Sequence, residues 1–412
     1  MQRDVHVVGG GLHAFGRFPE ISMPTLARTA IWAAISDAGC SPRAIGFCVV
    51  ANCYHGFFTG QADAVAPIVI GRSGLSGMPM VHVTGGGASG TVAVHQGAMA
   101  VASGEYDLAL VVGVEKLYVP NDPSISITAI ATSGEQDVAT DLGLTWVGSL
   151  GMSSRELMRR YGWTVTDFAR VASKNRQHAV PNPYAEHRTP LSVDDVLAAR
   201  IVAEPLTRPM CASAAVDGAA AVLLASSEVA AKLGNGRHPK IAGLGVVGGR
   251  YLSNREPDTR PGMLSMDEAP RAFALAYQRA GVGPADLELA QVHDAVAPEE
   301  MLAYQVMGLV GAGDEAKLLA AGSTTIGGNV PFNTDGGLLS RGHPIAASGV
   351  AQVVETIVQL RGTAGADRQV RVDGGRPPRV AAIQNAGAQG GPGGGVAVSA
   401  AMILTMDRPW LT

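Results

Sequence analysis

The chain has 412 residues, 47% of them hydrophobic and 16% charged, with a formal net charge of -4, which gives ample apolar content for a large core in one or two packed units. No dense Lys/Arg run is present, which argues against nucleic acid or an anionic membrane surface as partner and leaves isolated arginines for a phosphorylated ligand. No apolar stretch is long enough to span a bilayer, and the start lacks a basic region followed by an apolar run, so the cytoplasm is the expected compartment. Cys40, Cys48, Cys53 and Cys211 are irregularly spaced, which fits neither a disulfide framework nor a zinc pattern.

Val5 to Val8 reads as an opening strand. Thr25 to Val50 contains a helical pattern, the stop Ala38-Gly39-Cys40-Ser41-Pro42, then Ile45 and an apolar strand. Glycine suits the left-handed residue that closes a helix, and Pro commonly follows. Cys53 then lies in the polar cluster Asn52-Cys53-Tyr54-His55-Gly56. The run Thr84-Gly85-Gly86-Gly87-Ala88-Ser89-Gly90 opens a helix rich in Ala, Gly and Val to Ser103-Gly104, expected to be buried on nearly all sides. A strand from Leu108 to Gly113 follows it.

Residues 119–210 read as mixed helix and loop carrying Trp146, Trp163 and the polar run Lys174-Asn175-Arg176-Gln177-His178. This is expected to be an insertion over the active-site side. Asp217 to Leu224 returns to a buried strand. Arg271 to Val292 then repeats the early punctuation: a helical pattern, Ala280-Gly281-Val282-Gly283-Pro284, Leu287 and a strand. Ser348-Gly349 opens another helix to Arg361-Gly362, followed by the strand Val380 to Ile383, which loosely repeats the 88–113 unit.

Two copies of an α/β unit are implied, with strands apolar on consecutive positions and mainly parallel sheets covered on both faces. The expected fold class is α/β: two related halves in a five-layer α/β/α/β/α arrangement. The N-terminal half takes residues 1–118 and 211–235, the inserted loop domain 119–210 and the C-terminal half 236–412. The run Gly390 to Gly395 lacks the Lys-Ser/Thr of a phosphate loop and reads as a tight turn before Val396.

The densest chemical signal is Gly342-His343-Pro344-Ile345-Ala346-Ala347-Ser348-Gly349, preceded by Asn333, Gly336 and Gly337. It places an imidazole at an expected strand-to-helix junction, where Pro344 biases His343 toward extended backbone. Such a histidine can exchange a proton near neutral pH or donate to an oxyanion, whereas the bland reading is a surface turn. His293 follows a strand and could cap its edge instead, and Asp294 reads as structural. Asn333 and Asn385 suit the positioning of water or backbone. Cys211 reads as a small core residue.

These motifs, with Gly113-Val114-Glu115-Lys116, Asn182-Pro183, Pro205-Leu206, Asp217-Gly218-Ala219-Ala220, His293-Asp294 and Gln384-Asn385-Ala386-Gly387, follow one another along nearly the whole chain as in one family. The chain resembles the thiolase superfamily, and within it the sterol-carrier-protein-type thiolase-like proteins. The resemblance implies acyl-CoA chemistry at a carbon–carbon bond next to the carbonyl. It places a nucleophilic cysteine immediately before Ala88-Ser89-Gly90, where this chain has Gly87. The family's His-Asp-Cys-Phe is here His293-Asp294-Ala295-Val296, and its C-terminal Cys-x-Gly is Asn385-Ala386-Gly387.

What the resemblance leaves is an enolate site: His343 and His293 as the catalytic pair, with Gly87, Asn333, Asn385 and Gly387 as oxyanion or positioning groups. Backbone N–H groups near Gly87, at a helix start, favour negative charge. A carbon–carbon lyase cleaving a β-hydroxyacyl-CoA by retro-aldol reaction needs no acyl-enzyme, and this is the expected activity. Non-covalent acyl transfer or condensation, and a degenerate acyl-CoA- or lipid-binding scaffold, are the alternatives. Thiolase-like steroid side-chain aldolases are similar in lacking the nucleophile, but they are associated with tyrosines at the two histidine positions. A CoA thioester is the expected substrate, with no covalently bound cofactor and no metal. A homodimer, and a heterotetramer with an OB-fold acyl-CoA-binding protein, are the implied assemblies. Cys53 stands as a thiol that could replace the missing one from another direction.

Overall fold

The computed structural model describes residues 3–134, 143, 145–213, 215–234, 237–249, 268–389 and 396–406. The Gly390–Gly395 run lies outside the described residues. The described residues form eleven strands: β1 (Val5–Leu12), β2 (Phe47–Ala51), β3 (Met80–Val83), β4 (Leu108–Glu115), β5 (Ile201–Ala203), β6 (Leu206–Thr207), β7 (Gly218–Ser226), β8 (Lys240–Gly248), β9 (Leu289–Gln291), β10 (Val380–Gln389) and β11 (Val396–Thr405). Nine of them line up as β3-β2-β4-β7-β1-β8-β11-β10-β9, while β5 and β6 pair separately. The N-terminal and C-terminal sets meet through His6 opposite Lys240.

The sheet is mixed, which corrects the expectation of mainly parallel strands. Only β2 with β3, β2 with β4 and β10 with β9 run parallel; β7 enters antiparallel between β4 and β1, and β8, β11 and β10 form an antiparallel run. A continuous apolar strand reports that both faces are covered, and strand direction leaves no mark on that pattern.

Helix Met23–Ala38 covers β1 and β7 from outside, and helix Ala269–Ala280 covers β8 and β11. Both close on left-handed glycines, Gly39 and Gly281. Between the two sets of strands lie two central helices, Ser89–Ala102 and Ile345–Arg361. The Ser89 helix packs on β4 and β2; the Ile345 helix packs on β4 and β7 and also reaches β10 and β9. Five layers result. The Ile345 helix begins three residues earlier than expected and is buried along almost its full length.

The central helices touch backbone to backbone. A methyl carbon on Gly349 would stand 2.6 Å from Thr91 N, and one on Gly90 would stand 2.8 Å from the Ala346 carbonyl. Glu115, buried at the end of β4, accepts from Cys53 N, Tyr54 N and Ala346 N, tying the start of the second helix to the first half. Burial pushes its carboxyl up to about 7 while these N–H bonds oppose the shift.

The insertion holds helices Pro123–Ala131, Trp146–Tyr161 and Val165–Ala179. Its polar run is not a surface: Lys174, Asn175 and His178 are buried. Lys174 pairs with Glu300 at 2.7 Å, Asn175 donates to Asp294 and Glu300, and His178 meets the Phe332 and Asn333 carbonyls. No helix among the described residues is long and apolar enough to cross a membrane.

Gly349→Ala is expected to destabilise the fold by about 1–3 kcal/mol through overpacking, outweighing the roughly 1 kcal/mol that alanine gains in a helix. Urea denaturation followed by circular dichroism measures the difference.

Candidate active site

His343 does not sit between a strand and a helix. It lies on a turn between the short helix Gly337–Arg341 and the Ile345 helix, with Gly342 at a φ of 106°. The glycines before it serve to start that short helix, whose Leu338 and Leu339 N–H groups donate to Asp294. Asp294 also accepts from Asn175 and is fully buried. It therefore pins two loops and lies off the cavity.

The His343 ring is 7% exposed, and its Nδ1 meets Ser348 Oγ at 2.8 Å. That leaves Nε2 as the nitrogen available to a ligand. Behind it, the buried Arg341 guanidinium pairs with Asp335 and lies over the Phe15 ring. Burial, then His293 and Arg341, hold the His343 imidazole well below its ordinary range, so it stays neutral at neutral pH.

His293 follows β9 and is placed by its backbone. Asn333 Oδ1 accepts from Val292 N at 2.9 Å, and Gln384 Oε1 accepts from His293 N at 3.0 Å. The two imidazoles meet edge to face, with centroids 5.3 Å apart. Both nitrogens of His293 are buried without a hydrogen-bond partner. Its Nδ1 stands 3.4 Å from Glu299 Oε2.

Gly87 is the remaining side of this centre. A methyl carbon placed on it would stand 2.5 Å from His293 Nε2 and 2.6 Å from the Ala386 carbonyl. The imidazole edge thus occupies the space that a side chain at 87 would need. Gly387 packs against the same turn, where a methyl carbon would fall 2.1 Å from the Gly85 carbonyl.

Gly87, His293, His343 and Gly387 line one cavity of about 610 Å³. Asn333 and Asn385 do not reach its wall. Asn333 donates to Glu300 and holds the approach to His293; Asn385 donates to Thr91 and Gln352, joining β10 to both central helices. The insertion supplies an apolar wall from Ile127, Ile130, Trp146, Leu150 and Val202, and Arg17, Arg200 and Arg208 add cations.

Glu299 and Cys211 are among the wall residues that were not singled out as site residues in the sequence. Glu299 carried a signal, since it stands three residues after Val296 at a helix start and accepts from Val296 N. A capping acid is indistinguishable in sequence from one that faces a ligand.

The comparisons bear on this geometry directly. Residues 5–228 match the thiolase N-terminal domain and residues 249–404 the thiolase C-terminal domain-like family. The chain belongs to the thiolase superfamily. It is 34% identical over 368 residues to the acetyl-CoA acetyltransferase of Methanothermobacter thermautotrophicus, covering 89% of this chain and 93% of that one. It is 30% identical over 379 residues to sterol carrier protein 2 of Oryctolagus cuniculus, covering 89% of this chain and 67% of that one. The solved structure of the Ltp2-ChsH2(DUF35) aldolase superposes with a TM-score of 0.80 at 25% identity, over 98% of both chains.

As a thiolase-superfamily member of the sterol-carrier type, this chain has the fold without the thiol. Cys53 does not line the cavity. Its Sγ is 3.0 Å from Ser89 Oγ and 3.5 Å from the Gly86 carbonyl, and burial followed by Glu115 pushes the thiol up to about 12. Burial does the same to Cys211, also to about 12. A thiol held this high stays protonated at pH 8. Iodoacetamide at pH 8 is therefore expected to leave Cys53 and Cys211 unmodified in the folded protein and to label both in urea, read by peptide mass mapping.

Proposed function

We propose that the protein is a carbon–carbon lyase that cleaves a β-hydroxyacyl-CoA by retro-aldol reaction through a CoA enolate. The observation that carries this reading is the imidazole of His293 at the place where a nucleophile's side chain would begin. The superposition on a structure named as an aldolase supports it.

The chemistry asks little of a nucleophile. The hydroxyl loses its proton, the O–H electron pair becomes the new carbonyl bond, Cα–Cβ breaks, and its electron pair moves into the thioester as an enolate. Proton return to Cα completes the step. Barrier height then depends on how well the enolate oxygen is held. A neutral His343 donates from Nε2 when the Ser348 hydroxyl donates to Nδ1. Helix N-terminal N–H groups near Gly87 add partial positive charge.

In this reading Arg17, Arg200 and Arg208 take the phosphates of CoA, and the apolar insertion wall takes the acyl group. The halves at 1–118 with 211–235 and at 236–412 frame the centre, and 119–210 cover it. The protein acts in the cytoplasm as a homodimer, with an OB-fold partner in a heterotetramer. Acyl transfer without covalent catalysis is the second reading, favoured by the acetyltransferase among the relatives.

Panels of β-hydroxyacyl-CoA and β-ketoacyl-CoA, with and without a co-expressed OB-fold partner, test the reading. Release of a ketone or aldehyde plus acyl-CoA is expected, and CoA-dependent thiolysis overturns it. His343→Ala should lower cleavage by about a hundred- to a thousand-fold. Mass spectrometry after quenching should find no acylated side chain.

A further inference from the structure

We infer that Glu299 and His293 form a carboxylate–imidazole pair in which His293 Nε2 is the base for the substrate hydroxyl and Glu299 is its positioning residue. This rests on the lyase reading and supplies the proton acceptor which that reading requires.

The pair stands on geometry. Glu299 Oε2 is 3.4 Å from His293 Nδ1, both side chains are more than nine-tenths buried, and both line the cavity. The separation is slightly longer than a formed hydrogen bond, as catalytic contacts often are before substrate seats. Neither ring nitrogen has another partner. A carboxylate beside Nδ1 places the proton of the neutral ring there, so that Nε2 carries the lone pair. Nε2 is the atom that points at Gly87, in the space that a side chain there would fill.

The division of labour between the two imidazoles follows. His343 Nδ1 is occupied by Ser348, the Arg341 charge acts against protonation of the ring, and no carboxylate among the described residues pairs with it. It serves as the neutral donor to the thioester oxygen. His293 accepts the hydroxyl proton as Cα–Cβ breaks, becomes an imidazolium between Glu299 and the enolate, and returns the proton to Cα. Every proton and electron pair is accounted for without an added reactant. The carboxyl groups of Asp294 and Glu300 follow His293 in sequence but do not line the cavity; both are held by Asn175, Glu300 also by Lys174, and burial, then Glu300, hold the Asp294 carboxyl well above the usual carboxylate range.

Glu299→Gln keeps the oxygen that caps Val296 N and removes the charge. We expect kcat to fall about a hundred-fold with KM within about two-fold, and the acid limb of the kcat/KM profile to move to lower pH. Glu299→Asp should recover part of the loss. A readout independent of turnover is carbethoxylation of His293 by diethyl pyrocarbonate, mapped by mass spectrometry. Compared at a pH above the acid limb of both proteins, it should be several-fold faster in the parent than in Glu299→Gln, because the carboxylate keeps the ring proton on Nδ1 and leaves on Nε2 the lone pair that attacks the reagent. A parent that cleaves β-hydroxyacyl-CoA, with Glu299→Gln at the parental rate and pH profile, overturns the pair alone. Equal carbethoxylation overturns it whether or not cleavage is seen. A parent that cleaves no member of the panel removes the lyase reading and this role with it.

Discussion

The architecture depends on one close contact, the backbone of the Ser89 helix against that of the Ile345 helix at Gly90 and Gly349. Any larger residue at either place holds the helices apart, and their N-terminal ends then separate. Those ends carry the turn at Gly85–Ala88 and the turn at Gly342–Pro344, so two segments distant in sequence face each other across one cavity. Glu115 reinforces this by bonding to both the Cys53 loop and Ala346. Packing of small residues thus sets the geometry in which an imidazole meets a glycine.

A second layer lies beneath the imidazoles. Glu300 is fully buried and is satisfied by Lys174, Asn175, Asn333 and Tyr304. Through Asn333 it reaches Val292, and through Asn175 it reaches Asp294, so the backbone on both sides of His293 is fixed. Removing any one partner of such a buried charge is costly, because it leaves the charge uncompensated. The aim of His293 is therefore a property of this network, with residues from the insertion and from both sides of β9.

Much of the fold was legible. Gly39 and Gly281 announced helix ends because each needs a left-handed residue, whereas the small-residue run after Gly87, expected to be buried on nearly all sides, forms a helix that leaves Gln96 and Met99 exposed on one face. Strand direction was not legible, since β7 and β8 are as apolar as parallel strands and differ only in their partners. The short helix before His343 was hidden because its start is stabilised by Asp294, 44 residues away in sequence from Leu338. Gly87, His293, His343 and Gly387, singled out from motifs, line one cavity. Asn333 and Asn385 were found too, but act at one remove through backbone and helix contacts. Glu299 was missed because its capping bond gave it a sufficient local explanation.

The collision at Gly87 reaches beyond this pocket. A side chain at 87 would meet His293 Nε2 and the Ala386 carbonyl at once, so any residue larger than glycine there requires both the imidazole to turn aside and the backbone of β10 to give way.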